Sequence, residues 1–244
     1  MTGIDKGGAS APPKLLICGP AYSATLHVRH VASLVESVAH LNANGVDVQV
    51  HWLTDCAVIT RARQELMAAF MASDCTHMLS IDSDVAWEPE APLKLLQHNV
   101  PFVSATTFTR GTKKMCIRGV DWANQEFDYD PVRRLLRVGA VGSAFCMFRR
   151  DAVEMLQLTY PDLKIRDDRI SERLNAHLYA FYHQILHPTG YLDGEDYSLA
   201  ERFRAAGGEV FVDPFIELTH FGREEMRGRL ADIMTLDVGL REAA

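Results

Sequence analysis

Apolar and polar positions change period in a regular way along the chain. Residues 14–19 (KLLICG) form an apolar run closed by Gly19-Pro20, the pattern of a buried strand. Val31, Leu34, Val35, Val38 and Leu41 then fall on one helical face, and residues 42–45 (NANG) stop that helix. Residues 46–53 (VDVQVHWL) alternate and then run apolar, as a second strand does. Ile59, Ala62, Leu66, Ala69 and Phe70 make the stripe of a second helix, with Arg61, Arg63 and Glu65 off that stripe. Residues 77–81 (HMLSI) predict a third strand, 88–98 a helix with Pro89 in its first turn, and 100–105 a fourth strand. Strand and helix alternate throughout this stretch. The pattern argues for an α/β fold with a mostly parallel central sheet covered by helices, which binds ligands at the carboxyl ends of its strands.

The pattern loosens after that. Residues 113–137 predict short mixed strands, suited to a smaller second sheet. Residues 138–148 (VGAVGSAFCMF) predict one Gly-containing strand, and 150–158 a short helix. Residues 162–188 fit no element. Residues 196–206 predict a helix closed by Gly207-Gly208, followed by a strand over 209–212. Residues 1–13 are rich in Gly, Ala, Ser and Pro and predict a disordered leader. Residues 14–222 predict a single domain, and 223–244 a charged helical tail that could mediate a homodimer.

Composition narrows the partners. The chain has 244 residues, 48% of them hydrophobic, which is enough for a full core. Its net charge of −7 argues against general nucleic-acid binding, which needs a basic surface. No apolar run reaches the length of a membrane span. Cys18, Cys56, Cys75, Cys116 and Cys146 are scattered and lack a CxxC pair. That usage predicts reduced thiols and a cytoplasmic protein.

The sharpest chemical feature is Asp82-Ser83-Asp84, directly after the third strand. Two carboxylates two apart at a strand end can share one hard divalent cation, Mn2+ or Mg2+, together with substrate phosphates. The same residues also suit a capping turn. His220 follows the last strand and could complete a metal shell, or be an ordinary packed histidine. Glu195 and Asp196 open a helix, where the dipole favours carboxylates; in a cleft either could act as a general base.

In order along the chain stand CGPAYS (18–23), ITRARQELMAAFMAS (59–73), LSIDSDVAWEP (79–89), VGSAFCMFRRDAVEML (141–156) and GEDYSLAERFRAAGGEVFVDP (194–214), with His220 behind them. This set resembles glycosyltransferases of the GT-A fold, close to the family 2-like enzymes, from Leu15 to Gly222. The resemblance implies a Rossmann-like domain that moves a sugar from a nucleotide diphosphate sugar, UDP-linked or GDP-linked, to a hydroxyl of a glycan, lipid-linked or protein acceptor.

It also implies roles. Pro20, Ala21 and Tyr22 would border the base, and Asp55 would touch base or ribose. Arg61 and Arg63 would sit near the nucleotide or be solvated charges. Asp82 would approach the ribose or the metal, beside Ser83. Asp84 and His220 would be metal ligands. Gly142 and Ser143 would line the sugar or acceptor pocket, and Asp196, with Glu195 beside it, would deprotonate the acceptor if the reaction inverts the anomeric centre. Residues 162–188 have no counterpart in this set.

Two other readings share the residues. Residues 79–85 also fit the hhhDxDxV signature of haloacid-dehalogenase-like phosphatases, with Asp82 as nucleophile and Asp84 as acid/base. That motif normally ends the first strand of its domain, and here two strand–helix units precede it. A domain that holds a nucleotide sugar without transferring it is the third reading.

Overall fold

Leu15 and Ile17 point to one side of their strand and Leu16 and Cys18 to the other, and all four are buried. Such a strand needs apolar cover on both faces. The computed structural model, which describes residues 12–109, 114–222 and 225–234, supplies it. The first half runs β1 (Lys14–Ala21), α1 (Val28–Ala43), β2 (Asp47–Thr54), α2 (Ile59–Ala72), β3 (His77–Ile81), β4 (Val85–Trp87), α3 (Ala91–His98) and β5 (Phe102–Ser104). The second half runs β6 (Ile117–Arg118), β7 (Tyr129–Asp130), β8 (Leu135–Val138), β9 (Ala140–Val141), β10 (Phe145–Arg149), α4 (Arg150–Thr159), α5 (Glu172–Asn175), α6 (Glu195–Ala205), β11 (Val210–Val212), β12 (Leu218–His220) and β13 (Met226–Gly228).

One sheet has the order β2-β1-β3-β10-β5-β11-β8-β7. β1 lies parallel to β2 and β3, and β11 parallel to β5. β10 is antiparallel to both β3 and β5, β8 to both β11 and β7. The sheet is therefore mixed rather than mostly parallel. The expected single strand over 138–148 is the cause. It breaks at Gly142–Ala144 into β9 and β10, and β10 enters the sheet from the carboxyl-end side, so it runs backwards. The short strands of 113–137 make no separate mixed sheet: β7 and β8 join the large one, and β6 pairs antiparallel with β9 alone, while β13-β12-β4 forms a further antiparallel sheet.

Two apolar clusters cover the faces. Leu16, Phe70, Met78, Phe148 and Phe203 pack under α2, α4 and α6. Leu15, Ile17, Leu79, Trp87, Met147 and Phe211 pack on the side of α1 and α3. β1 and β3 approach so closely that a Cβ on Gly19 would lie 1.9 Å from the Ile81 carbonyl oxygen. Only glycine fits there, which ties the end of β1 to the residue just before Asp82.

Three local expectations change. The inner face of α1 is His30, Ser33, Ser37 and Leu41, whereas Val31 and Val35 face solvent. Polar contacts decide this: the Ser33 hydroxyl donates to the Trp87 carbonyl at 2.8 Å and the Trp87 indole donates to Ser37 at 2.8 Å. α3 starts at Ala91 instead of Glu88, with Pro92 in its first turn. The helical tail over 223–244 is not seen across 225–234. β13 pairs with β12 there, and Leu230–Ile233 form a 3-10 turn. The rest of that tail, and the leader apart from its last two residues, lie outside the described residues. All five cysteines are free, as expected. Among the described residues no helix is long and apolar enough to cross a membrane.

Candidate active site

The carboxyl ends of β1 and β3 open onto a cleft of about 420 Å3. Its lining includes Pro20, Tyr22, Arg63, Asp82, Ser83, Asp84, Glu195 and Asp196. Asp82-Ser83-Asp84 forms the link between β3 and β4. Its backbone is pinned by the Asp82 N–H, which donates to the Ala144 carbonyl, and by the Val85 N–H, which donates to the Asp82 carbonyl. This short link turns the two carboxylates in different directions.

Asp84 faces β12. Its Oδ1 lies 3.6 Å from His220 Nε2, because β12 pairs with β4 so that His220 stands opposite Val85. The Phe221 N–H donates to the Asp84 carbonyl at 2.8 Å and closes the corner. An oxygen and a nitrogen donor from two elements, one ligand–ligand distance apart, fit a shared divalent cation.

Asp82 faces the other way. Its Oδ1 accepts from Arg63 Nη2 at 3.0 Å. It is not gathered with Asp84 and His220. Among the described residues the one cluster of three metal-capable side chains is elsewhere, at His187, Asp193 and Glu201.

Arg63 organises the opposite wall. It was expected off the apolar stripe of α2, yet it is only 4% exposed. Its Nε lies 3.7 Å from Glu195 Oε1 and 3.5 Å from Asp196 Oδ1, and its Nη1 donates to the Ser143 carbonyl at 3.4 Å. One guanidinium thus faces three carboxylates, brought by the β3–β4 link and by the first turn of α6. Burial alone would lower its affinity for a proton; the charges of Asp82, Asp196 and Glu195 outweigh that and raise it above the usual arginine value. Glu195 moves the opposite way for a carboxylate: burial first, and the Asp196 charge second, raise its pKa. Burial also pushes the neighbouring thiols of Cys18 and Cys146 up to about 12, so neither is a nucleophile.

The remaining predicted residues divide. Gly142 sits where a Cβ would be 3.0 Å from Cys116 Cβ and 3.8 Å from Asp196 Oδ2, so it leaves room beside that carboxylate. Ser143 is buried and reaches the site through its carbonyl. Ala21 is buried at the end of β1, while Tyr22 stands exposed on the rim. Asp55 and Arg61 line an adjoining hollow instead, which shares Cys56 and Ala57 with the cleft. Asp55 takes a left-handed backbone (φ 61°) and its N–H donates to the Tyr22 carbonyl. Arg61 is ion-paired with Asp167, in the segment that fitted no element.

No family model matches the chain, and no curated protein matches it. Many solved structures are similar in part, two of them as follows. One is a glycosyltransferase involved in the glycosylation of the major capsid of PBCV-1, at 9% identity and a TM-score of 0.37, covering 61% of this chain and 66% of that one. The other is S. aureus TarS 1-349, at 14% identity and a TM-score of 0.36, covering 69% and 54%. This chain thus spans just under two thirds of the first and about half of the second. With likeness this low, the reading of the site stands on its own geometry.

Proposed function

We propose that the chain is a glycosyltransferase that moves a sugar from a nucleotide diphosphate sugar to an acceptor hydroxyl. The observation that carries the reading is the convergence, on one cleft, of Asp84, backed by His220 at 3.6 Å, and the Glu195–Asp196 carboxylates. These are the two chemistries that the reaction needs: a place for a diphosphate's charge and a base for a hydroxyl.

Asp84 and His220 would hold Mn2+ or Mg2+. Such an ion, when bound, neutralises the charge that develops on a departing diphosphate. Pro20 and Tyr22 would flank the base, with the hollow at Asp55 beyond them. Asp196 would accept the acceptor's proton as its oxygen bonds to the anomeric carbon. The bond from that carbon to the diphosphate breaks, and the nucleoside diphosphate leaves with the bonding pair. The transition state at the sugar carbon is oxocarbenium-like. Arg63 would orient Asp196 and Glu195 rather than bind the nucleotide, since its guanidinium is already committed to carboxylates.

Topology weighs against the phosphatase reading: Asp82 follows β3, the third strand of the chain, and two strand–helix units precede it.

The test is a panel of UDP-sugars and GDP-sugars incubated with the full chain and Mn2+, read as nucleoside diphosphate released. Release with at least one donor, lost in Asp84→Ala, supports the reading. Failure of every nucleoside diphosphate to bind in a metal-dependent way overturns it.

A further inference from the structure

A second group of metal-capable side chains lies where the hairpin that begins at the end of the unassigned segment meets α6. Leu186 and Leu192 bridge across this hairpin, and Gly190 (φ 82°) makes its turn. The hairpin sets His187 and Asp193 side by side: the His187 N–H donates to the Tyr191 carbonyl and the Asp193 N–H to the Ile185 carbonyl. Glu201 comes from the second turn of α6.

His187 Nε2 lies 2.8 Å from Asp193 Oδ2 and 3.6 Å from Glu201 Oε2, and the three ligand atoms all fall within 4.8 Å of one another. Ligands around a four-coordinate first-row ion stand about 3.4 Å apart, given metal–ligand distances near 2.0–2.2 Å. The set spans that value without backbone movement. The carboxylate of Asp193 is fully buried. Its other oxygen accepts from Arg118 Nη1 at 2.5 Å, and Arg118 is itself held by the Tyr191 hydroxyl at 2.8 Å and stacked over the Tyr197 ring at 4.4 Å. A ligating carboxylate whose second oxygen is fixed by an outer hydrogen bond is the usual construction of a metal site. Two carboxylates against one arginine also leave a negative charge around the buried Asp193, which a cation would neutralise.

We propose that His187, Asp193 and Glu201 bind a divalent transition ion of the Zn2+ class, separate from the Asp84–His220 corner. One imidazole and two carboxylates suit Zn2+, with water in a fourth position. The ion pins the hairpin to α6. Since Asp193 precedes Gly194 and the Glu195–Asp196 pair, it also fixes the start of the helix that carries those carboxylates. The inference does not depend on glycosyl transfer.

The test uses the metal-stripped full chain and Co2+ alone as probe, read by visible absorption and titration calorimetry. Asp84→Ala is the background, so that the cleft is silent. The expected result is one equivalent bound with the intense absorption of four-coordinate Co2+, competed by Zn2+. Adding Glu201→Gln, a half-exposed position, weakens binding at least tenfold, and adding Arg118→Met weakens it 10–100-fold, the range for outer partners. Absence of Co2+ binding in Asp84→Ala overturns the proposal. So does binding that Glu201→Gln leaves unchanged, or absorption of the weak six-coordinate kind. His187→Ala is a third arm, and Glu201→Gln decides alone if that variant fails to fold.

Discussion

The imidazole of His220, on β12, stands 3.6 Å from the carboxylate of Asp84, in the link that leads into β4, although the two are far apart in the chain. Backbone pairing creates the relationship: the β12–β4 register sets His220 opposite Val85, one residue beyond Asp84.

That pair makes the first prediction. A ligand present at 100 times its Kd stabilises the folded state by about 2.7 kcal/mol. A nucleoside diphosphate with Mn2+ should therefore raise the Tm of the wild-type chain by several degrees. Asp84→Ala should abolish the increment, and His220→Ala should reduce it. An unchanged shift in Asp84→Ala would sink the assignment of this corner.

Arg63 makes the second. Removing one partner from a buried ion cluster typically costs about 3–5 kcal/mol. The three carboxylates here are partly exposed, which pulls the value towards the lower end. Arg63→Met should lower the denaturant midpoint without changing the slope. Its deficit should shrink at acid pH, where protonated carboxylates no longer repel one another. A deficit independent of pH would show that packing, and not charge, is what Arg63 supplies.

Glu195 behaves oppositely. Its pKa is raised in the folded chain by burial and by Asp196. The folded state therefore binds that proton more tightly than the unfolded chain, and the ionised group destabilises the fold at neutral pH. Stability gains as pH falls through the raised value, and the gain is complete below the ordinary value of 4.5. Glu195→Gln should raise the Tm at pH 7, and the advantage should vanish near pH 4. Equal gains at both pH values would contradict the electrostatic account.

Two buried histidines set the acid limit. Burial lowers His30 and His77 to about 4 in the folded chain, from 6.5. The unfolded chain takes up these protons first, so their contribution is intact above pH 6.5 and is lost as pH falls towards 4. The difference amounts to about 3 kcal/mol for each. Unfolding curves across that window should steepen accordingly, and His77→Gln should flatten them. An identical pH slope in that variant would rule out His77 as a contributor.

Much of this was legible in the sequence, and the failures share a cause. The order from β1 to β5 follows from period and punctuation. The ends of α6 are fixed within a residue by Gly194 and by the pair Gly207-Gly208. Asp84, His220 and Asp196 carried recognisable signals. Arg63 did not: on a helix that alternates charge with small apolar residues, an arginine looks solvated until its partners arrive from β3 and α6. The buried face of α1 was missed because serine hydroxyls and a histidine, not valines, meet Trp87. The reversal of β10 was hidden because Gly142-Ser143-Ala144 is apolar enough to pass for strand. Arg118, His187, Asp193 and Glu201 come from three separate stretches, so no local pattern could join them.

The guanidinium of Arg63, carried by α2, touches groups delivered by the β3–β4 link, by Ser143 in the turn before β10 and by the first turn of α6. The set is complete only when α6 has docked beside α2 and β3. A chain stopped before α6 would hold an arginine in an apolar layer with one acid in place of three. The two carboxylates assigned to the acceptor thus reach Arg63 only through α6, so the proposed chemistry depends on a helix distant in sequence from the arginine that orients it.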